Sequence, residues 1–122
     1  MQNTARTNDE IIDVPKILEQ IGGDKELLRE VFRVFLGDSP DIRSRLTAAL
    51  ARKDILQLRE VAHCAKSAVG NFCTEKAVAA SIELEEACKN GETAHLEKLT
   101  ESLGSALIEV EEALRNALET PF

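Results

Sequence analysis

Apolar residues recur at every third or fourth position through most of the chain, and this spacing constrains the fold more than any other feature. The repeat is closest to a heptad near the end of the chain, where it comprises Leu96, Leu99, Leu103, Leu107, Val110, Leu114 and Ala117. Such spacing places apolar side chains along one face of a helix. No segment alternates apolar and polar residues with period two, so no strand is predicted. The pattern therefore predicts an all-α protein.

Capping and turn residues divide this pattern into separate helices. N-cap residues stand before four of them, and these are Asp13, Asp24, Asp54 and Thr74. Gly22-Gly23 and Asn90-Gly91 are typical helix ends, and the last helix is expected to start near Thr93 and to stop before Pro121. Connections of two to four residues make successive helices antiparallel neighbours. The sequence thus predicts an up-down antiparallel four-helix bundle with a short extra N-terminal helix at about 14–21.

The second predicted helix contains an interruption. Gly37-Asp38-Ser39-Pro40 separates an apolar set ending at Leu36 from one beginning at Ile42. Because proline disrupts a helix interior, we expect a kink or a short break there. Residues 1–9 are polar and without pattern, so we expect a flexible tail followed by one bundle domain over residues 10–122.

Composition excludes several classes of function. The net charge of -7 argues against a nucleic-acid partner. No apolar run approaches the roughly 20 residues of a membrane span, and the N-terminus lacks a secretory pattern, so no membrane insertion is expected. The three cysteines, Cys64, Cys73 and Cys88, form no Cys-x-x-Cys pair. We expect no metal site and no disulfide framework, and we expect a reducing cytoplasmic location.

His63 stands out because it lies off the apolar stripe of its helix. Residues three, four or seven positions away lie on the same side of a helix, so Arg59, Lys66, Ser67 and Gly70 surround it. Two cations and two small residues beside an imidazole suit contact with a large anionic partner. A solvated structural histidine is the alternative interpretation. His95 has no comparable cluster and is interpreted as a surface residue in the first turn of the last helix.

Two further residues are candidates on the same surface. Glu85 lies on or beside the apolar stripe of the next helix, where a carboxylate needs a partner, and it would orient the His63 imidazole if the two helices pack together. A glutamate reaching solvent from the edge of a helix seam is the equal alternative. Leu56 lies two turns before His63 on the same outer side and would anchor a docked partner.

The residues Ala62-His63, Lys66, Gly70-Asn71 and Leu84-Glu85 resemble the signature of histidine-containing phosphotransfer (HPt) domains. That family's pattern looks like Ala-His-x-Leu-Lys-Gly-Ser-x-x-Asn-x-Gly, followed one helix later by Leu-Glu. The family has Gly, Ser and Gly where this chain has Ser67, Ala68 and Cys73. The resemblance implies a phosphorelay intermediate built on an up-down four-helix bundle, the architecture that the helix pattern predicts independently.

The resemblance also implies a mechanism and partners. His63 would accept a phosphoryl group from a receiver-domain phosphoaspartate, with Lys66, Arg59 and the small Ser67 and Gly70 around it, and would pass it to another receiver. The partners would be response regulator receiver domains and a hybrid sensor histidine kinase, and the chain is expected to act as a monomer. No cofactor is expected, since the receiver supplies Mg²⁺. The sequence has no phosphate-cradling Gly-rich loop, so no ATP-dependent kinase activity is expected.

Two other classes of protein stay open. A non-catalytic helical interaction module would use the same bundle with His63 incidental. A fragment of a dimeric histidine kinase would also present a histidine on a helix, but it should carry an ATP-binding domain, for which 122 residues leave no room.

Overall fold

A computed structural model describes residues 11–72 and 74–119 of the protein. These residues form five helices and no strand: α1 (Val14–Gln20), α2 (Lys25–Ala51), α3 (Ile55–Val69), α4 (Glu75–Lys89) and α5 (Leu96–Glu119). A short 3₁₀ turn, Gly70–Phe72, follows α3. The predicted tail and Cys73 lie outside the described residues. The all-α prediction and the order of the helices are confirmed.

The four long helices pack as a bundle around one core. Helix α3 packs between α2 and α4, and α5 packs between the same two helices on the other side, so α3 and α5 are diagonal to each other. Helix α1 contacts α2 and the 3₁₀ turn. The largest fully buried side chains come from every long helix and include Phe32, Leu46, Leu58, Leu84 and Leu107. The apolar stripes that the sequence shows are thus the faces that form this core.

Of the two alternatives expected at residues 37–40, a kink or a short break, the short break is wrong. Helix α2 continues through 27 residues with Pro40 in its interior. Proline in a helix interior costs about 3 kcal/mol because it removes one hydrogen bond and crowds the preceding turn. Phe35 and Ser39 before Pro40 lie on the same buried face as Ile42 after it. A break would misalign that face, so packing against the bundle offsets the local cost of Pro40.

Side-chain caps fix the starts of three helices as the sequence predicts. Asp13, Asp24 and Asp54 each accept a hydrogen bond from the backbone N–H three residues later, at 3.1, 3.0 and 3.1 Å. Thr74 stands at the N-cap position of α4 but does not cap it. Its hydroxyl donates instead to the carbonyl of Val69 at 3.0 Å. This bond ties the start of α4 to the end of α3 and fixes the turn between them.

The last helix begins three residues later than expected. Helix α5 starts at Leu96, not near Thr93, and the exposed His95 lies immediately before it. The N–H of Leu99 donates to the His95 carbonyl at 2.9 Å, which places His95 at the N-cap position. His95 is therefore a surface residue as predicted, but it is outside the first turn. None of the described helices is both long enough and apolar enough to cross a membrane.

Candidate functional site

Helix α3 presents His63 away from the core. Leu58, Val61, Ala62, Ala65 and Val69 are buried on the inner face of α3. The His63 side chain is 57% exposed on the outer face. The helix therefore holds its position through the core residues, and the imidazole makes no contribution to core packing.

A carboxylate from the neighbouring helix holds one nitrogen of this imidazole. Glu85 of α4 places its Oε2 atom 3.0 Å from His63 Nδ1, and its Oε1 atom accepts a hydrogen bond from Lys66 Nζ at 3.0 Å. The two donors are three residues apart on α3, so one carboxylate spans adjacent turns. The structure thus brings together His63, Lys66 and Glu85, three of the predicted site residues. Their roles in chemistry stay predictions.

The charge on Glu85 assigns the proton of the neutral His63 imidazole to Nδ1. The hydrogen bond from Lys66 is the main reason that the pKa of Glu85 lies below its ordinary value, and it outweighs the opposing effect of burial. The His63 bond lowers the pKa further. An ionised carboxylate only accepts hydrogen bonds, so the neutral imidazole donates from Nδ1–H. The lone pair then lies on Nε2, the nitrogen that points away from Glu85.

His63 opens into a shallow surface depression between α3 and α4. The side chains lining it are Leu56, Arg59, Glu60, His63, Cys64 and Glu85. Leu56 is 67% exposed and lines the same depression as His63, so an apolar side chain is available to a partner there. The sequence analysis missed Glu60 and Cys64 as site residues. Their signal was their spacing, because Glu60 is three residues before His63 and Cys64 is next to it.

Two other predicted residues, Ser67 and Gly70, follow His63 along the chain. Ser67 is exposed one turn later on α3, and Gly70 is exposed one turn further. Gly70 is not inside the α-helix, since α3 ends at Val69, and its φ of -60° needs no glycine. A Cβ atom added at Gly70 would lie in open space, with no neighbouring atom within 4 Å. The absence of a side chain there keeps the surface beside His63 low and open.

A second glutamate forms a similar cluster that the sequence analysis missed. Glu111 of α5 is buried, and its Oε2 accepts bonds from Ser39 Oγ and Arg43 Nε of α2, both at 2.7 Å. Arg43 Nη2 donates to the other carboxylate oxygen at 3.0 Å. Burial favours the neutral acid, but these hydrogen bonds outweigh it and hold the pKa of Glu111 below its ordinary value. The signal was a glutamate between Leu107 and Leu114 on an apolar stripe, as with Glu85.

Other chemistry finds little support in the described part of the chain. No group of three or more His, Cys, Asp or Glu side chains there is arranged to hold a metal ion. Cys64 is an exposed free thiol, and Cys88 is a buried one whose pKa is raised by burial. The arrangement therefore offers one chemically available group with an oriented partner, the Nε2 atom of His63.

Comparison with known proteins gives consistent matches. The family model described as Hpt domain matches residues 30–120. The phosphorelay protein LuxU of Vibrio cholerae serotype O1 is 30% identical over 59 residues, which are 48% of this chain and 52% of LuxU. The chain thus matches about half the length of that relative.

Two solved structures share the fold. Histidine-containing phosphotransfer protein B of Pseudomonas aeruginosa PAO1 superposes with a TM-score of 0.81 at 22% identity, covering 89% of this chain and 95% of that one. The HPT domain of a sensor hybrid histidine kinase from Shewanella gives a TM-score of 0.78 at 21% identity, covering 90% and 95%. Both likenesses show the helical-bundle fold.

Proposed function

The chain belongs to the Hpt domain family, and we propose that it is a phosphorelay intermediate of two-component signalling that carries a phosphoryl group on His63. One observation carries the proposal. His63 is exposed, its Nδ1 is bound by Glu85 at 3.0 Å, and its Nε2 has no hydrogen-bond partner among the described residues. That is the arrangement a nucleophilic imidazole needs, since the lone pair is outward and the ring is held.

The reaction is an in-line phosphoryl transfer. Nε2 of His63 attacks the phosphorus of a receiver phosphoaspartate, an Nε2–P bond forms, and the P–O bond to the aspartate breaks with release of its carboxylate. The ring keeps its Nδ1 proton, and the positive charge that it gains faces the ionised Glu85. The reverse sequence passes the group to a second receiver. Positioning and charge supply most of the catalysis in such transfers.

The surrounding residues favour an anionic protein-borne substrate. Lys66 and Arg59 place positive charge on either side of His63 along α3, and the small Ser67 and Gly70 leave room for a partner. The exposed Leu56 offers an apolar anchor at the edge of the depression. We infer that a receiver domain docks over this surface and brings its own Mg²⁺.

Partners and state follow from the same proposal. The expected partners are response regulator receiver domains and a hybrid sensor histidine kinase, with the chain acting as a cytoplasmic monomer. Proteins of this family are phosphocarriers rather than kinases. We propose that this chain likewise does not phosphorylate itself from ATP, and that a receiver supplies the activated group.

Transfer of label from phosphorylated receivers tests the proposal. The purified protein is mixed with a panel of receiver domains carrying labelled phosphoaspartate, and separately with labelled ATP and Mg²⁺. The expected product is a phosphoramidate on His63, labile in acid and persistent in base, formed from receivers and not from ATP. Label from ATP alone would favour the kinase fragment. No transfer from any receiver would favour the interaction module.

A further inference from the structure

The two cations beside His63 differ in what they contact. Lys66 is engaged, because its Nζ donates to Glu85 at 3.0 Å. Arg59 forms no hydrogen bond or ion pair with any side chain in residues 11–72 and 74–119. It is half-buried, and its charge partly offsets the effect of burial on the pKa of the Cys88 thiol in α4. Among the described residues, Arg59 is thus a half-buried cation without an acidic partner.

The two cations also differ in position. Arg59 lines the depression into which His63 opens, together with Glu85, whereas Lys66 does not line it. A phosphoryl group on Nε2 would enter the depression that Arg59 borders. Lys66 is already engaged with Glu85, and its hydrogen bond contributes most to keeping that carboxylate ionised.

The guanidinium group of Arg59 is suited to binding a phosphoryl group. Its planar set of N–H donors matches the oxygens of a phosphoryl group and can bind two of them at once. Arg59 is four residues before His63, which places it on the adjacent turn of the same face. Arg59 can therefore bind the incoming group without breaking a hydrogen bond or ion pair to any of the described residues.

We propose that Arg59 is the cation that binds the phosphoryl oxygens at His63, and that Lys66 is a positioning residue acting through Glu85. This inference rests on the function proposed above and assigns separate roles to two residues that the sequence treats alike. Arg59 donates N–H groups to the non-transferred oxygens while the Nε2–P bond forms, and it moves no proton. Lys66 holds the Glu85 carboxylate that orients the imidazole ring.

A small donor separates binding of the phosphoryl group from docking of a protein. Phosphoramidate transfers its phosphoryl group to Nε2 as its own P–N bond breaks, and its nitrogen leaves as ammonia. We would measure the rate for the full chain and for Arg59→Ala, Arg59→Lys and Arg115→Ala. Loss of a charge-assisted contact predicts about a tenfold fall for Arg59→Ala, with partial recovery in Arg59→Lys. Arg115→Ala removes the same charge from α5, diagonal to α3, and should react at the unchanged rate.

A double-mutant cycle tests the role given to Lys66. If Lys66 acts through Glu85, adding Lys66→Ala to Glu85→Ala should cause no further loss of rate, whereas adding Arg59→Ala should cause the same fold loss as in the native chain. The ¹⁵N shifts of the His63 imidazole should change in Lys66→Ala and stay unchanged in Arg59→Ala, because only the first variant loosens the group bound to Nδ1.

Three outcomes would overturn the inference. Reaction of Arg59→Ala with phosphoramidate at the native rate would remove Arg59 from the phosphoryl site, even if transfer from receivers slowed. An equal fall in Arg115→Ala would show a general charge effect. If the fold losses of rate in Lys66→Ala and Glu85→Ala multiplied in the double variant, Lys66 would contact the phosphoryl group independently of Glu85. The proposed function fails separately, if the native chain accepts no phosphoryl group from any receiver.

Discussion

The cluster at Glu85 and the cluster at Glu111 use the same arrangement in two environments. In each, one glutamate accepts hydrogen bonds from two side chains that lie three or four residues apart on a neighbouring helix. The Glu111 side chain is 3% exposed, and both of its oxygens are used. The Glu85 side chain is 19% exposed, and its His63 partner is 57% exposed.

This difference in burial separates a structural cluster from a reactive one. Around Glu111, Ser39 and Arg43 direct their hydrogen bonds inward, so the cluster joins α2 to α5. Around Glu85, the imidazole uses one nitrogen and leaves the other towards solvent. A carboxylate shared between two helices therefore stabilises the fold when it is enclosed, and it orients a nucleophile when one donor stays at the surface.

Replacing His63 should break the comparison most completely. His63→Gln is expected to abolish phosphoryl acceptance, because no other residue in the described part of the site offers an oriented nitrogen nucleophile. Helicity and Tm should be unchanged, since the side chain lies outside the core. Labelled transfer and circular dichroism measure both effects, and His95→Gln is the matched control that should change neither. Transfer by His63→Gln at the native rate would contradict the assignment.

Replacing Glu111 should have the opposite pattern. Glu111→Ala leaves Arg43 and Ser39 without their shared acceptor, and breaking such a buried pair is expected to cost about 3 kcal/mol of unfolding free energy. Transfer by the folded fraction should stay near the native rate, because α5 is diagonal to the His63 helix. Urea unfolding measures the loss, with Glu112→Ala, an exposed neighbour, as the control. Equal stability of the two variants would show that the cluster does not hold the fold.

Replacing Lys66 tests whether the cluster at Glu85 contributes to transfer more than to stability. Lys66→Ala should slow transfer about tenfold, the effect of losing one hydrogen bond to a charged group. Its effect on stability should be within about 1 kcal/mol, as for other solvent-accessible ion pairs. Single-turnover transfer and thermal unfolding are compared with Lys98→Ala, an exposed lysine on α5. A variant that loses stability but transfers normally when folded would make Lys66 a structural residue.

Lowering the pH should reduce the contribution of both clusters to the free energy of unfolding. The pKa values of Glu85 and Glu111 are lower in the folded chain than their ordinary values, so both contribute stability above the unfolded pKa. That stability is lost as the pH falls through the folded pKa values. Glu111→Gln should flatten the acid side of the stability profile more than Glu85→Gln, because Glu111 is the more enclosed group. Unfolding free energies measured across acidic pH test this order. A larger flattening in Glu85→Gln than in Glu111→Gln would show that burial does not govern the size of the effect.

The smallest effect is expected at Gly70. Gly70→Leu should change stability by only a few tenths of a kcal/mol, because Gly70 stands at the end of α3 rather than within it, and propensity differences are smaller at helix ends. Its side chain would rise beside the approach to His63 and should slow transfer from receivers. The reaction with phosphoramidate should stay at the native rate. A native rate with receivers as well would mean that the partner does not cover Gly70.

Local features made most of the fold predictable from the sequence. Asp13, Asp24 and Asp54 were identified as caps because an N-cap bond involves residues three apart. Pro40 was misjudged because the packing that keeps α2 continuous is formed by distant parts of the chain. Thr74 was placed at the right position with the wrong hydrogen bond, since its hydroxyl bonds back to α3 rather than forward to its own helix.

The site was predictable to the extent that its residues share one helix face. His63, with its cations and small neighbours, followed from spacing alone. Glu85 was a candidate partner because it lies on or beside an apolar stripe, with a solvent-reaching glutamate as the equal alternative. Glu111 carries the same signal as Glu85 but was missed, because its partners Ser39 and Arg43 are on a helix that no motif linked to it. The different contacts of Arg59 and Lys66 depend on where α4 packs, which spacing along α3 does not reveal.

The two clusters differ in how much of the chain lies between their partners. His63 and Glu85 are 22 residues apart, whereas Ser39 and Glu111 are 72 apart. Loop-closure entropy grows with the logarithm of this separation, so the longer loop costs about 1 kcal/mol more to close. The reactive cluster belongs to a single helical hairpin, and the enclosed cluster joins the first and last of the four long helices. The part of the molecule proposed to carry the phosphoryl group is thus also the part with the smaller entropic cost of assembly.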